Sequence, residues 1–167
     1  MDSTFVVGID VGGQTSKIGV VNARGTVLAQ TVIRTDTYDQ VEPYIAELAD
    51  AVKKLIAESG TEGKVRGIGV GAPNGNKYTG TFVIAPLPPW GRSQVEFAKL
   101  LTEAMGGLPV ALTNDANAAA VGEMTYGAAR GMKNFIMITL GTGVGSGIVI
   151  NGEVVYGHDG FAGELGH

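Results

Sequence analysis

The chain has 167 residues, 44% of them hydrophobic and 17% charged, which is the length of one domain with ample apolar side chains for a core. A net charge of −4 argues against nucleic acid or an anionic membrane as partner, and no apolar run reaches the ~18 residues of a membrane span. Without cysteine there is neither a disulfide framework nor a thiolate metal site. The opening residues Met1-Asp2-Ser3-Thr4 lack the basic start of a signal peptide, so a cytoplasmic location is expected. The 27 glycines are about twice the ordinary share and cluster in motifs, which points to tight turns and close backbone approach.

Phe5-Val6-Val7-Gly8-Ile9 predicts a buried strand ending at Asp10. Gly12-Gly13-Gln14-Thr15-Ser16 is a turn, and Lys17–Val21 a second strand. Asn22–Gly25 turns again into Thr26–Ile33, so the three strands form an antiparallel meander. The Gly12-Gly13 turn can aim backbone N–H groups at an anion, because no side chain blocks the approach. Asp10 beside it suits a hydrated Mg²⁺, which keeps most of its waters. An ordinary glycine hairpin reads the same way, since Asp-x-Gly-Gly is a short motif.

From Asp39 to Ser59 the apolar period becomes helical: Val41, Ile45, Leu48, Ala49, Val52, Leu55 and Ile56 share a face. Val65–Gly71 is a strand with glycines at alternate positions, leaving one face bare for a close partner. Asn76–Ile84 is expected to form an excursion turning at Thr79-Gly80. The rigid Ala85–Trp90 loop, which carries the one tryptophan, suits either a pocket wall or a packed connector. Ser93-Gln94-Val95-Glu96 reads as a capping box opening a helix to Met105, stopped at Gly106-Gly107.

Pro109-Val110-Ala111 then predicts a strand leading into Asn114-Asp115 and an alanine-rich helix. The carboxyl ends of strands are where open α/β sheets bind ligands, and a carboxylate there can take a proton from a substrate hydroxyl. Both residues are also preferred helix caps, so this stretch alone leaves capping open. Asn134–Leu140 is a further strand, followed by the glycine run Gly141–Gly147, then Ile148–Ile150, an Asn151-Gly152 hairpin signal and Glu153–Tyr156. Gly141-Thr142-Gly143 is a second glycine turn between strands, offering backbone donors and a hydroxyl to a phosphate. Neither glycine turn leads directly into a helix, and no Gly-Lys-Ser/Thr occurs, so the dinucleotide and Walker patterns do not apply.

Three segments together resemble the ROK family of sugar kinases, within the actin-like, sugar-kinase and Hsp70-type group. They are Asp10–Gly19, Thr113–Glu123 and Leu140–His167, the last ending Gly163-Glu164-Leu165-Gly166-His167. The resemblance implies an actin-like (ribonuclease-H-like) α/β fold, a mixed β-sheet with helices on both faces. It implies ATP and Mg²⁺ as co-substrates and a hexose, most simply glucose, phosphorylated at its 6-hydroxyl with Asp115 as general base. Asn114, Glu164 and His167 would contact the sugar. Asp10, Gly12, Gly13 and Thr15, with Gly141, Thr142 and Gly143, would face the phosphates, Asp10 reaching Mg²⁺ through water. Gln14 departs from the threonine usual in the family, and Leu87-Pro88 from a frequent asparagine.

Family members continue for about another domain's length. The expectation is therefore that residues 1–167 form the N-terminal lobe, with the second lobe outside the chain. In relatives the residue matching His167 binds zinc together with cysteines; with none here, zinc is not expected. Relatives that act as sugar-responsive repressors carry an N-terminal helix-turn-helix; with the first strand starting at Phe5, one is not expected here. An exposed lobe interface would favour a homodimer.

Overall fold

The computed structural model describes residues 4–83, 94–141 and 143–166. The first three strands, β1 (Phe5–Val11), β2 (Thr15–Asn22) and β3 (Val27–Arg34), form the expected antiparallel meander. A helix, α1 (Val41–Glu58), follows and leads into β4 (Val65–Ala72), which pairs with β1 in parallel. The excursion is a small separate sheet of β5 (Gly75–Asn76), β6 (Thr81–Val83) and β7 (Gln94–Val95). A short helix, α2 (Phe97–Ala104), then leads to β8 (Val110–Asn114), parallel to β4, and to α3 (Asp115–Tyr126). The last described elements are β9 (Phe135–Leu140), β10 (Val144–Ile150) and β11 (Glu153–Val154), a second antiparallel meander.

Strand alternation explains the layers. In the five-stranded sheet β3-β2-β1-β4-β8, Val7, Ile9, Val11, Ile18, Val20, Ile68, Val70 and Leu112 point to one face and are buried. The inward side of α1, namely Tyr44, Ile45, Leu48, Ala49, Val52 and Leu55, covers that face with Phe97 and Leu101 of α2. Burying such side chains contributes about 1.5–3 kcal/mol each. The opposite face carries Gly8, Asp10, Gly19 and Gly71, and there α3 packs at the β4–β8 edge, because a Cβ on Gly71 would sit only 3.3 Å from the Ala118 Cβ. Helices thus flank a mixed sheet on both faces.

Three local readings are corrected. The capping box is not formed as read: Ser93 lies outside the described residues, while Gln94 and Val95 pair with Val83 and Phe82 as a strand. The helix begins only at Phe97, and Glu96 makes no side-chain cap bond. Burial of Val95 and the Gln94 Nε2 bond to Thr81 Oγ1 at 2.8 Å favour the extended pairing over a helical turn. The Ala85–Trp90 loop also lies outside the described residues. In the second meander the strand resumes at Val144 and not at Ile148, so Gly145 and Gly147 are strand residues. Their bare positions admit α3: a Cβ on Gly147 would fall 2.6 Å from the Ala120 Cβ, and one on Gly145 3.2 Å from the Ala116 Cβ. Finally, the β-strand expected to reach Tyr156 stops at Val154. The Asn151-Gly152 turn forms as expected, both residues having positive φ (56° and 82°), the condition for a two-residue hairpin loop.

Candidate active site

Since β1, β4 and β8 are parallel, their carboxyl ends share one edge of the sheet, and the site is assembled there. At the end of β8 the backbone of Asn114 is still extended (φ −62°, ψ 144°), and its Oδ1 accepts the N–H groups of Ala116 (2.8 Å) and Asn117 (3.3 Å). Asn114 is therefore the helix cap, satisfying two of the orphan donors of the first turn. Its Nδ2 donates to Glu164 Oε1 at 2.8 Å. Asp115 is the first helical residue, exposed, with Oδ1 accepting the Ala116 N–H at 2.8 Å. The positive end of the α3 dipole favours a carboxylate at this place.

Cross-strand register puts Lys17, Asp10, Gly71 and Thr113 in one row on the open face. Gly71 leaves a gap between Asp10 and Thr113, and all four line a cavity of about 1260 Å³ together with Asp115 and Thr139. Thr113 Oγ1 is buried in this row without a hydrogen-bond partner. Such an orphan hydroxyl at the cavity wall is suited to a ligand or an ordered water.

The first glycine turn joins β1 to β2 directly beyond Asp10. Its Gly12 N–H donates to Thr15 O at 2.9 Å, and a Cβ on Gly12 would lie 2.8 Å from that oxygen, so only glycine closes it. In the second turn the Gly141 N–H donates to Gly143 O at 3.0 Å, a tighter closure spanning two residues instead of three. Thr142 and His167 lie outside the described residues. Both turns lead into strands, as read.

Among the described residues no three His, Cys, Asp or Glu side chains converge, so no all-protein metal cage is formed. Mg²⁺ does not ask for one: it keeps several waters and takes one or two carboxylates plus phosphate oxygens. A cavity-lining Asp10 beside a glycine turn fits that demand.

Sequence reasoning missed the residues that bring Glu164 to Asn114. Ser146, buried on β10, donates to Gly163 O and accepts the Leu165 N–H at 3.1 Å, clamping the chain on either side of Glu164. Asn76 Nδ2 donates to Asp159 O (2.7 Å) and the Tyr78 hydroxyl to Gly157 O (2.9 Å), tying the small sheet to the segment after β11. Lys77 Nζ stands 4.3 Å over the Tyr156 ring beside them. Asn76 lies in β5, just past the carboxyl end of β4, the same kind of strand-end position that marks Asn114. Ser146, inside a glycine run, gave no separate signal.

A mixed five-stranded sheet, a helix capped at its parallel edge and a second glycine-turn meander define an actin-like ATPase fold. The ROK family model matches residues 6–167, and the chain belongs to the ROK family. The glucokinase of Halalkalibacterium halodurans is 39% identical over 168 residues, covering 100% of this chain and 50% of that protein. The crystal structure of a ROK family glucokinase from Streptomyces griseus, in complex with glucose and AMPPNP, superposes with a TM-score of 0.78 at 34% identity, covering 98% of this chain and 50% of that one. A xylose repressor of Caldicellulosiruptor bescii is 31% identical over 99% of this chain and 41% of its own. The chain thus spans about half the length of the curated relatives it matches.

Proposed function

We propose that this chain is the N-terminal lobe of an ATP-dependent hexose kinase, most simply one that converts glucose to glucose 6-phosphate in the cytoplasm. The observation that carries the reading is the division of labour at the start of α3. Asn114 caps the helix, and Asp115 shares only the Ala116 N–H through Oδ1, so its carboxylate stays exposed at the cavity and available for chemistry. Asp115 accepts the proton of the sugar 6-hydroxyl, the freed oxygen attacks the γ-phosphorus, and ADP leaves with the bridging oxygen. Phosphoryl transfer asks little else of a protein than positioning and charge neutralisation.

In this reading Asn114 and Glu164 hold sugar hydroxyls as one hydrogen-bonded pair, with His167 as a further contact. Asp10, Gly12, Gly13 and Thr15 face the phosphates from one turn, and Gly141, Thr142 and Gly143 from the other. The Gly12 N–H is already given to Thr15 O, so Gly12 shapes the turn and the donors come from Gly13 onward. Mg²⁺, when bound, would be held by Asp10 through water and would neutralise phosphate charge. The remaining wall of the cleft, including the adenosine pocket, belongs to a second lobe, and closing the two around both substrates excludes water.

A second reading, a sugar-sensing member without catalysis, is favoured by the similarity to a repressor. A coupled ADP-release assay across several hexoses, on this chain and on a two-lobed form, separates them. In the two-lobed form Asp115→Asn is expected to keep sugar binding and lower turnover by ~10²–10⁴-fold, the general-base share. Near-normal turnover of that variant overturns the assignment of the base. Sugar binding with no ADP release from the unmutated form favours the sensor. The 167-residue chain alone is expected to turn over little, and a rate within the ordinary ~1–10³ s⁻¹ would overturn the division into lobes.

A further inference from the structure

We propose that Tyr44 is a positioning residue for the Gly12–Thr15 turn, holding it through Ser16 and Thr35 in the shape that receives a nucleotide's phosphates. The inference rests on the reading of that turn as a phosphate site, but not on any particular sugar. Tyr44 stands on the inward side of α1 among Ile45, Leu48, Ala49, Val52 and Leu55, where a phenol is the odd member. A buried hydroxyl must find partners, or its desolvation is uncompensated.

The partners are specific. The Tyr44 hydroxyl lies 2.6 Å from Ser16 Oγ, which lies 2.7 Å from Thr35 Oγ1. All three residues are 0% exposed. Ser16 interrupts the otherwise apolar inward row of Val7, Ile9, Val11, Ile18 and Val20, and it directly follows Thr15. Thr35 reaches the same turn by its backbone, donating its N–H to Gln14 O at 2.9 Å. The hydroxyl network therefore grips the turn at residues 14 and 16, on either side of Thr15, while Gly12 N–H on Thr15 O closes it from across.

Burial pushes the Tyr44 hydroxyl up to about 12, partly offset by its hydrogen bonds to Ser16 and Thr35. The phenol therefore stays neutral and able to donate at any pH at which a kinase works. Such a grip gives pre-organisation: turn amides already aimed do not have to be ordered when the anion arrives.

The test uses the 167-residue chain, with amide hydrogen exchange read by NMR and titrations with MgATP and with inorganic tripolyphosphate. Tyr44→Phe removes one hydroxyl and keeps the ring. It is expected to speed exchange of the Gly12 amide, and to weaken tripolyphosphate binding, by about five- to tenfold each, the scale of one hydrogen bond. The β1–β2 amides around Ile9 and Ile18 should keep their protection. Val52→Ala, on the same face of α1 and away from the hydroxyls, should lower stability without moving either readout. Thr35→Ser, which keeps a hydroxyl, should resemble the unmutated chain, and Ser16→Ala repeats the test if the phenylalanine variant does not fold. Unchanged Gly12 exchange and unchanged affinity in a folded Tyr44→Phe or Ser16→Ala variant overturn the positioning role alone. An unmutated chain that binds neither probe overturns the phosphate reading of the turn, and the positioning role with it.

Discussion

The amide of Asn114 joins Glu164 across 50 residues of chain, Nδ2 donating to Oε1 at 2.8 Å while its Oδ1 caps α3. One side chain thus sets both the start of the helix that carries Asp115 and the position of a carboxylate from the segment after β11. Asn114→Ala is expected to lose the cap and this bridge together. Cap loss costs about 1 kcal/mol, up to ~2, which corresponds to a fall of about 2–8 °C in Tm for a chain of this size. Asn114→Ser keeps a capping oxygen and should recover most of that loss without restoring the reach to Glu164. Paired thermal melts check it: equal destabilisation by both substitutions would mean that the cap contributes little.

Much of this was legible in the chain. The meander β1–β3, the scaffold helix α1 and the strand-to-helix passage at Asn114-Asp115 follow from apolar period and glycine punctuation, which are local signals. Which of the two neighbours caps α3 is not legible in the sequence, because both residue types cap well; nor is the bond from the Asn114 amide to Glu164, 50 positions later. The glycine run 141–147 reads in sequence as one turn, yet its residues from Val144 onward are strand. A glycine demanded by a helix packing against it looks the same in sequence as one demanded by a turn. Tyr44 gives no signal in the sequence for a related reason: its period matches the core, and only the partner hydroxyls of Ser16 and Thr35 show that it does more than fill space.

The packing of α3 on β10 supplies a direct test. A Cβ at position 147 would fall 2.6 Å from the Ala120 Cβ and 3.1 Å from Ala116 O, so one methyl group has no room. Gly147→Ala is expected to destabilise the chain by about 1–3 kcal/mol, the usual cost of overpacking. Adding Ala120→Gly removes the nearer clash, and the double variant should regain part of the loss despite glycine's cost of about 1 kcal/mol in a helix. A double-mutant cycle by urea denaturation measures the coupling; strict additivity would show that the two positions do not meet.

Stability should depend on alkaline pH through Tyr44. Its folded-state pKa, about 12, lies above the ordinary phenol value of 10.0, so the folded form holds the phenolic proton more tightly. The stabilisation is fully present below pH 10 and is lost as pH rises from about 10 through 12. Two units correspond to about 2–3 kcal/mol at most. Denaturant unfolding of the native chain at pH 8 and pH 11 should show a larger fall than the same comparison in Tyr44→Phe, which has no phenol to ionise there. Identical falls in the two proteins would remove Tyr44 as the cause.

The second meander is built like the first but is less covered. In the first, β1 pairs with β4 on its outer edge and the apolar face lies under α1 and α2. In the second, β9 ends the sheet order among the described residues, and Ile136, Ile138 and Leu140 on it are 58%, 59% and 82% exposed. Val144 and Ile150 of β10 extend the same apolar face at 48% and 52%. An edge strand with unpaired backbone groups beside exposed apolar side chains is a template for further pairing. For the 167-residue chain alone in solution the available partner is a second copy, joined antiparallel along β9 about a two-fold axis, which gives an isologous and closed dimer. Sedimentation velocity at rising concentration should therefore show a monomer–dimer equilibrium. Ile138→Lys puts a charge at the centre of the face while leaving the pairing of β9 with β10 intact, and it is expected to shift the sample to monomer with little change in Tm. A wild-type chain that stays monomeric at ~100 µM, where a contact worth even about 6 kcal/mol would be populated, excludes this surface as a self-association site.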